Sequence, residues 1–323
     1  MIPPLADLLA TARVVALPLH TRFRGVDVRE ALLFEGPQGW AEFSPFTEYE
    51  DAEAATWLAA AVDFAYAAQP APARERIPVN ATVPAVDTAQ VDAVLARFDG
   101  CRTAKVKVAE RGQALADDIA RVRAVRAAMG PEGRIRIDAN GGWNVDEAER
   151  AVHALAEFDL EYAEQPCASV AELADLRRRI KHMGIPIAAD ESVRKAADPL
   201  AVARAGAADL VVIKAQPLGG IRRALEIVAE AGLPAVVSSA LDTAVGLAQG
   251  AALAASLATL DYDCGLGTAS LFADDVADAR PVGGSVSAAR AVPDAAALAR
   301  LEAPAERREW WLARLERCHR LLG

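Results

Sequence analysis

Between Ile77 and Leu266 the chain repeats one unit, a short β-rich run followed by a longer stretch with helical periodicity. The runs are IPVNATV (Ile77 to Val83), TAKVKV (Thr103 to Val108), RIRIDAN (Arg134 to Asn140) and EYAEQP (Glu161 to Pro166). They continue with PIAADES (Pro186 to Ser192), DLVVIKAQ (Asp209 to Gln216), PAVVSSA (Pro234 to Ala240) and a weaker run near Asp261 to Leu266. Between them residues return every three or four positions: Ile119, Val122 and Val125 with Arg126, then Val152, Leu155 and Phe158, then Leu173, Leu176 and Ile180. Each unit takes about 25–30 residues, the length of one strand and its returning helix. Eight such units predict a parallel sheet closed into a (β/α) barrel. A doubly wound sheet is the alternative, but no run leads into G-x-G-x-x-G or G-x-x-x-x-G-K-[ST], the phosphate-binding turns of such sheets.

The first 76 residues break the rhythm. VREALLFEGPQGWAEFSPF reads as a hairpin turning at Gly36-Pro37 and Gly39, and DAEAATWLAAAVDFAYAA, from Asp51, reads as a helix. Residues 1–76 are therefore expected to form an α+β unit, joined through QPAPARERIP to a barrel over 77–280. The tail, 281–323, is expected to return and complete the front unit. Apolar residues make up 53% of the 323, enough for a large core, which excludes disorder as the main state. With 35 Lys+Arg against 45 Asp+Glu, the net charge is −10 and no basic stripe stands out. General nucleic-acid binding is excluded on that ground, whereas a local basic pocket for a small anion is not. The N-terminus has no basic n-region and is interrupted by Asp7 and Arg13, so no signal peptide is expected. The Ala-rich run from Thr243 to Leu260 carries Gln249, Ser256 and Thr259 and reads as a buried helix, not a membrane span. Cys101, Cys167, Cys264 and Cys318 lack metal-site spacing and read as reduced thiols of a cytoplasmic protein.

Charged residues recur near the C-terminal ends of successive runs: Lys105 and Lys107, Asp138, Glu164, Asp190 with Glu191, and Lys214. In a barrel of this kind those ends face the active site. Unpaired charges there cost several kcal/mol unless a metal or counter-charge balances them. Strand alternation turns Lys105 and Lys107 to one side and Asp138 and Asn140 likewise, with Val106 and Ala139 facing the outer helices. Asp190 and Glu191 are adjacent, so only one points inward, and the pattern does not choose between them. Three carboxylates from three neighbouring strands make an all-oxygen set that suits Mg²⁺ or Mn²⁺ and disfavours zinc. None of His20, His153, His182 and His319 lies at a strand end. Lysines on both sides of such an ion suit removal of a proton α to a carboxylate, with a lysine as the base.

The ordered set K-V-K, D-A-N, E-Q-P, D-E-S and K-A-Q-P-L-G-G resembles the muconate-cycloisomerase subgroup of the enolase superfamily, and the likeness covers nearly the whole chain. TRFRGVDVREALLFEG, GWAEFSPFTEYEDAEAA and VVSSALDTAVGLAQGAALAA are similar to the subgroup's dehydratases of menaquinone biosynthesis. The resemblance implies an α/β fold, a modified TIM (β/α) barrel with an α+β capping domain. It implies Asp138, Glu164 and Asp190 as ligands of Mg²⁺, with Mn²⁺ as a substitute, and so prefers Asp190 to Glu191. It implies Lys107 as general base and then acid, Lys105 beside it on the substrate carboxylate, and Lys214 stabilising an enediolate from the opposite face. Asn140 and Glu191 would stand behind the ligands, and Ser238 and Ser239 near the substrate's succinyl group. Arg22 and Phe23 would lie on a mobile capping loop, with Phe46 to Tyr49 forming a second. The implied reaction is a syn elimination of water from a small cyclic carboxylate by a hydro-lyase, with no nucleic-acid or membrane partner.

Racemisation of N-succinylamino acids, epimerisation of dipeptides and cycloisomerisation of muconate use the same lysines and metal. Racemising relatives often carry an arginine three residues after the second-face lysine, where this chain has Pro217, which favours dehydration. A barrel that merely binds a small carboxylate would be expected to lack an acid or a lysine, and none is missing. Trp310-Trp311 reads as packing, Gly219-Gly220 as turn geometry, and Arg177-Arg178-Arg179 with Lys181 as a solvated helix face.

Overall fold

The computed structural model describes residues 2–194 and 198–323. Three antiparallel strands come first: β1 (Arg13–Phe23), β2 (Val26–Gly36) and β3 (Gly39–Phe43). β2 and β3 form the expected hairpin, with Gly36 opposite Gly39. β1 was not anticipated; Pro18 and a register shift after it blur its alternation. The helix Asp51–Tyr66 then lays Trp57, Leu58, Ala61 and Phe64 into the core.

The run Ile77 to Val83 is two strands, not one. β4 (Arg76–Pro78) pairs antiparallel with a late strand, while β5 (Ala81–Val83) opens the parallel sheet. The sheet continues in chain order through β6 (Thr103–Lys107), β7 (Arg134–Asp138), β8 (Leu160–Glu164), β9 (Ile187–Ala189), β10 (Leu210–Ile213) and β11 (Ala235–Val237). The expected eighth run forms no strand. Cys264 and Gly265 close the barrel instead by single bridges to each edge. Cys264 N donates to Pro78 O (2.8 Å) and Cys264 O accepts from Asn80 N (3.0 Å); Gly265 N donates to Val237 O (2.8 Å) and Gly265 O accepts from Ser239 N (3.1 Å). That segment has no β-branched residue to favour a longer ladder, and a Cβ at Gly265 would collide with Ser238. The late partner of β4 is β12 (Ser285–Ser287).

Two-residue alternation sorts the barrel strands into an inner and an outer face. Val106, Ile137, Ala163, Val211, Ile213 and Val237 join the large core shared with the outer helices. Tyr162, Ala188, Leu210, Val212 and Val236 form a separate cluster inside the barrel. The next inward positions along those strands are Glu164, Asp190, Lys214 and Ser238, so the polar layer sits on an apolar plug. The outer helices begin where local capping dictates. Asn144 and Glu147 exchange side-chain-to-backbone bonds at the start of Val145–Leu155, and Ser169 and Glu172 do the same for Val170–Ile180.

The last helix, Ala305–Leu322, packs on Asp51–Tyr66 in the front unit. Trp311 is fully buried, meets Phe43 edge-on at 5.9 Å and donates Nε1 to Glu30 Oε2 (2.9 Å). Arg314 donates to the carbonyls of Phe46 (3.1 Å) and Tyr49, and so fixes the 46–49 loop. The Ala-rich run is a buried helix, Ala244–Ser256, and no helix among the described residues is long and apolar enough to cross a membrane.

Candidate active site

The strand-end residues converge on the cap side of the barrel. Lys105 Nζ, from β6, lies 3.0 Å from Asp138 Oδ2 and 2.9 Å from Glu164 Oε1. Lys107 Nζ lies 2.6 Å from both Asp138 Oδ2 and Asn140 Oδ1. Four strands away, beyond β10, Lys214 Nζ is 2.7 Å and 2.5 Å from the two oxygens of Asp190. Lys107 stands nearest the mouth: its side chain is 16% exposed, against 9% for Lys105 and 7% for Lys214. Asp190 is the inward member of its pair. Glu191 instead accepts from Asn140 Nδ2 (3.1 Å) and Arg194 (2.6 Å), leaving its buried Oε2 without a partner among the described residues.

Burial alone would raise the pKa of every one of these acids. For Asp138, Lys105 and Lys107 outweigh burial and hold the carboxyl well below its usual range; for Asp190, Lys214 and Arg194 do the same. Glu164 is pushed up to about 7 by burial and then by repulsion from Asp138, with Lys105 opposing. Lys105 is driven up, because Asp138 and Glu164 outweigh its burial. Lys214 is lowered to about 8, chiefly by burial.

Among the described residues no three acidic, histidine or cysteine side chains are gathered as a ready metal cluster, because lysine ammonium groups stand between the acids. The donor set nevertheless fits a hard divalent cation: three fully buried, all-oxygen side chains, one of them, Glu164, with its charge suppressed by burial and then by the neighbouring acids.

Phe23, Arg24 and Phe46 from the cap cover the lysines, and Ser238, Ser239 and Thr268 form the far wall. The cavity is about 40 Å³, room for about one water, whereas small-molecule sites run to several hundred Å³. Outside Phe23 and Arg24 lies a vestibule of about 220 Å³ that Lys107 and Asn140 also line. The Ser239 hydroxyl bonds Gly265 O (3.1 Å) and Thr268 Oγ1 (2.8 Å), and Ser238 Oγ lies 3.5 Å from Gly265 O. Arg22 lines only the vestibule and pairs with Asp27 on the surface.

Three residues here were not singled out from sequence. Arg24, with φ +52°, stacks 4.0 Å over Phe46 and lines the inner cavity where Arg22 does not. Arg194, one helical turn past Asp190, bonds Asp190 Oδ1 at 3.0 Å; the spacing i, i+4 was available as a signal. Gln165, buried and with φ +39°, accepts from the backbone N–H groups of Asp190 (2.9 Å) and Ser192 (3.2 Å) and so orients the loop carrying Asp190.

A closed (β/α) barrel under an α+β cap, with lysines on its second and sixth strands and acids between them, defines an enolase-superfamily enzyme. Family models agree: one described as enolase C-terminal domain-like matches residues 88–295, and one described as enolase N-terminal domain-like matches residues 14–65. Solved structures of an N-succinyl Arg/Lys racemase from Bacillus cereus (TM-score 0.75, 18% identity, 91% of this chain and 97% of that one) and a 2-chloromuconate cycloisomerase from Rhodococcus opacus (TM-score 0.75, 21% identity, 91% and 98%) share the fold. The chain is 58% identical over 324 residues to the o-succinylbenzoate synthase of Mycobacterium tuberculosis, covering 100% of this chain and 98% of that protein. It is 56% identical over 323 residues to that of Mycolicibacterium smegmatis, with 99% of each covered. The chain belongs to the o-succinylbenzoate synthase family and is a lyase.

Proposed function

We propose that this chain is a cytoplasmic, Mg²⁺-dependent dehydratase. It would convert 2-succinyl-6-hydroxy-2,4-cyclohexadiene-1-carboxylate to 2-succinylbenzoate in menaquinone biosynthesis. The observation that carries the reading is Lys107 at the pocket mouth facing Lys214 across three buried acids, in a chain 58% identical end to end to an o-succinylbenzoate synthase. Residues 1–76 and 281–323 would form the cap and 77–280 the barrel.

Lys107, once it has given up its proton, would remove the ring proton α to the carboxylate. The electron pair enters an enediolate. Collapse of the enediolate then expels the 6-hydroxyl, and protonated Lys107 returns the proton to it, so that one water leaves and the ring becomes aromatic. Proton and hydroxyl leave from one face, so a single base suffices. Lys105 would orient the ring carboxylate and Lys214 would place positive charge on the opposite face. Asp138, Glu164 and Asp190 would hold a divalent cation that adds positive charge at the substrate carboxylate. The favoured substrate carries a second carboxylate. Of the five cations lining the pocket, Lys105, Lys107, Arg194 and Lys214 each pair with an acid, and Arg24 has no carboxylate partner among the described residues. Ser238 and Ser239 would lie beside the succinyl chain.

Ultraviolet decay of the cyclohexadiene under purified enzyme, with magnesium and then with EDTA, tests the reading. Rapid, chelator-sensitive loss with appearance of the aromatic product is expected. Two lysines on opposite faces also suit α-proton exchange, as in N-succinylamino acid racemase or dipeptide epimerase, or muconate cycloisomerisation. Absence of dehydration together with deuterium uptake at the α-carbon of an N-succinylamino acid would replace the proposal with the first of these.

A further inference from the structure

Two cap loops and a helical turn of the barrel meet at one phenol oxygen. Arg24, at the tip of the β1–β2 turn, donates Nη2 to Tyr49 Oη at 3.1 Å. Arg194, on the barrel, donates Nη1 to the same oxygen at 3.1 Å. The rest of the Arg194 guanidinium is spent below, with Nε 3.0 Å from Asp190 Oδ1 and Nη2 2.6 Å from Glu191 Oε1. Tyr49 itself is pinned. Its ring packs edge-on against Phe46 (5.6 Å) and Trp57 (6.1 Å), and its carbonyl accepts from Arg314. The hydroxyl therefore has a fixed place, and both arginines register against it.

The cavity beneath this junction, about 40 Å³, is too small for a substituted six-membered ring. Phe23 and Arg24 divide it from the outer vestibule, so entry requires that turn to lift and Arg24 to leave Tyr49. Departure from Tyr49 also removes one of the charged groups holding the oxygen that Arg194 holds from the other side. The position of the closing turn and the orientation of Arg194, and hence of the Asp190 carboxylate, are therefore linked through one atom.

We propose that Tyr49 is a positioning residue whose hydroxyl ties the closing turn, through Arg24, to Asp190, through Arg194, so that pocket closure and the geometry of the third acid are set together. Its catalytic consequence rests on the dehydratase reading above; the mechanical link does not.

The test is hydrogen exchange of residues 20–27 in the full chain without added metal or substrate, comparing the unaltered protein with Tyr49→Phe, Arg194→Met and the double variant. Tyr49→Phe keeps the ring packing and removes only the shared oxygen. Among the described residues no hydrogen bond or ion pair joins Arg194 to residues 20–27 directly; the shared Tyr49 oxygen is the polar link between them. Exchange there should speed up about fivefold or more in each single variant and no further in the double, the size expected for losing a charge-assisted hydrogen bond. Unchanged exchange in Tyr49→Phe overturns the proposal, as does fully additive acceleration in the double. If Arg194→Met does not fold, Arg194→Lys keeps the charge but not the three-way geometry, and the same comparison holds. In steady state Tyr49→Phe should lower kcat and raise KM together, with kcat/KM down about tenfold or more; unchanged kcat and KM overturn the positioning role. A wild-type protein that does not dehydrate the cyclohexadiene but shows the expected exchange pattern sinks the dehydratase reading alone. Normal dehydration with unaltered exchange sinks this one alone.

Discussion

Glu42, on β3 of the cap, caps a barrel helix: its Oε2 accepts from Gly246 N at 3.0 Å. The same oxygen accepts from Thr243 N (3.0 Å), and Arg29 beside it donates to the carbonyl of Leu241 (3.1 Å), so cap and barrel are bolted together next to the Ser238–Ser239 wall. The bolt fits because residue 246 has no side chain. A Cβ there would lie 2.7 Å from both that oxygen and Asp242 Cβ. Alanine gains about 1 kcal/mol over glycine inside a helix, whereas overpacking costs ~1–3 kcal/mol. Gly246→Ala should therefore lower stability by up to about 2 kcal/mol in denaturant unfolding. Gly250→Ala, where the new Cβ meets only a Leu266 methyl at 2.7 Å, should cost less. Equal losses at the two sites would show that the Glu42 contact is immaterial.

Lys107→Ala should lower kcat by a factor of about a thousand or more, the scale of a lost general base. Binding of 2-succinylbenzoate and of magnesium, measured by calorimetry, should survive within about tenfold, because Lys105 and Lys214 keep their acids paired. Near-normal turnover in that variant would remove Lys107 from the base role.

Much of this site is legible in sequence because a strand has a period of two. That period alone places Lys105 with Lys107, and Lys214 above Leu210 and Val212. It fails between Asp190 and Glu191, since β9 ends at Ala189 and the next residues begin a helical turn whose side chains fan out. It says nothing of Arg24, whose position over the pocket comes from left-handed backbone at Arg24 and Gly25 (φ +52° and +79°), whereas the family resemblance points to Arg22. The eighth strand was expected from spacing, but two bridges at Cys264 and Gly265 complete the closure that the rhythm demands. Glu42 and Arg29 had no local signal, because their partners lie about two hundred residues away in the chain.

Gln165 is the residue whose loss should most distort the site without touching a lysine. Its Oε1 is the acceptor for Asp190 N and Ser192 N, and its Nε2 donates to Cys167 O (2.8 Å) and Ser192 Oγ (2.7 Å). Gln165→Leu keeps similar bulk and strands two buried N–H groups, at about 1–3 kcal/mol each. Unfolding experiments should register a loss of roughly 2–6 kcal/mol, with magnesium binding weakened alongside. A loss under about 1 kcal/mol would mean that water or a shifted loop replaces the amide.

Magnesium should stabilise the protein more at high pH than at low. In the metal-free protein Glu164 is raised from 4.5 to about 7, first by burial and then by Asp138, so the folded state favours its protonated form. Such a group contributes its stability fully below the unfolded value and loses it as pH rises through the folded one. Metal-free stability should therefore fall between about pH 5 and pH 8. Asp242 and Asp275, each pushed up to about 7 by burial, act in the same direction, but neither is among the three acids of the proposed metal site. The gain in thermal midpoint on adding magnesium leaves those two out and reports on the groups of the site itself: Glu164, and at the alkaline end Lys214 beside Asp190, lowered to about 8, which acts in the same direction on metal binding. That gain should be small at pH 5.5, where a cation must displace a proton, and several degrees larger at pH 8. A gain that is equal at the two values, or larger at the acid one, would show that Glu164 is not among the groups that hold the ion.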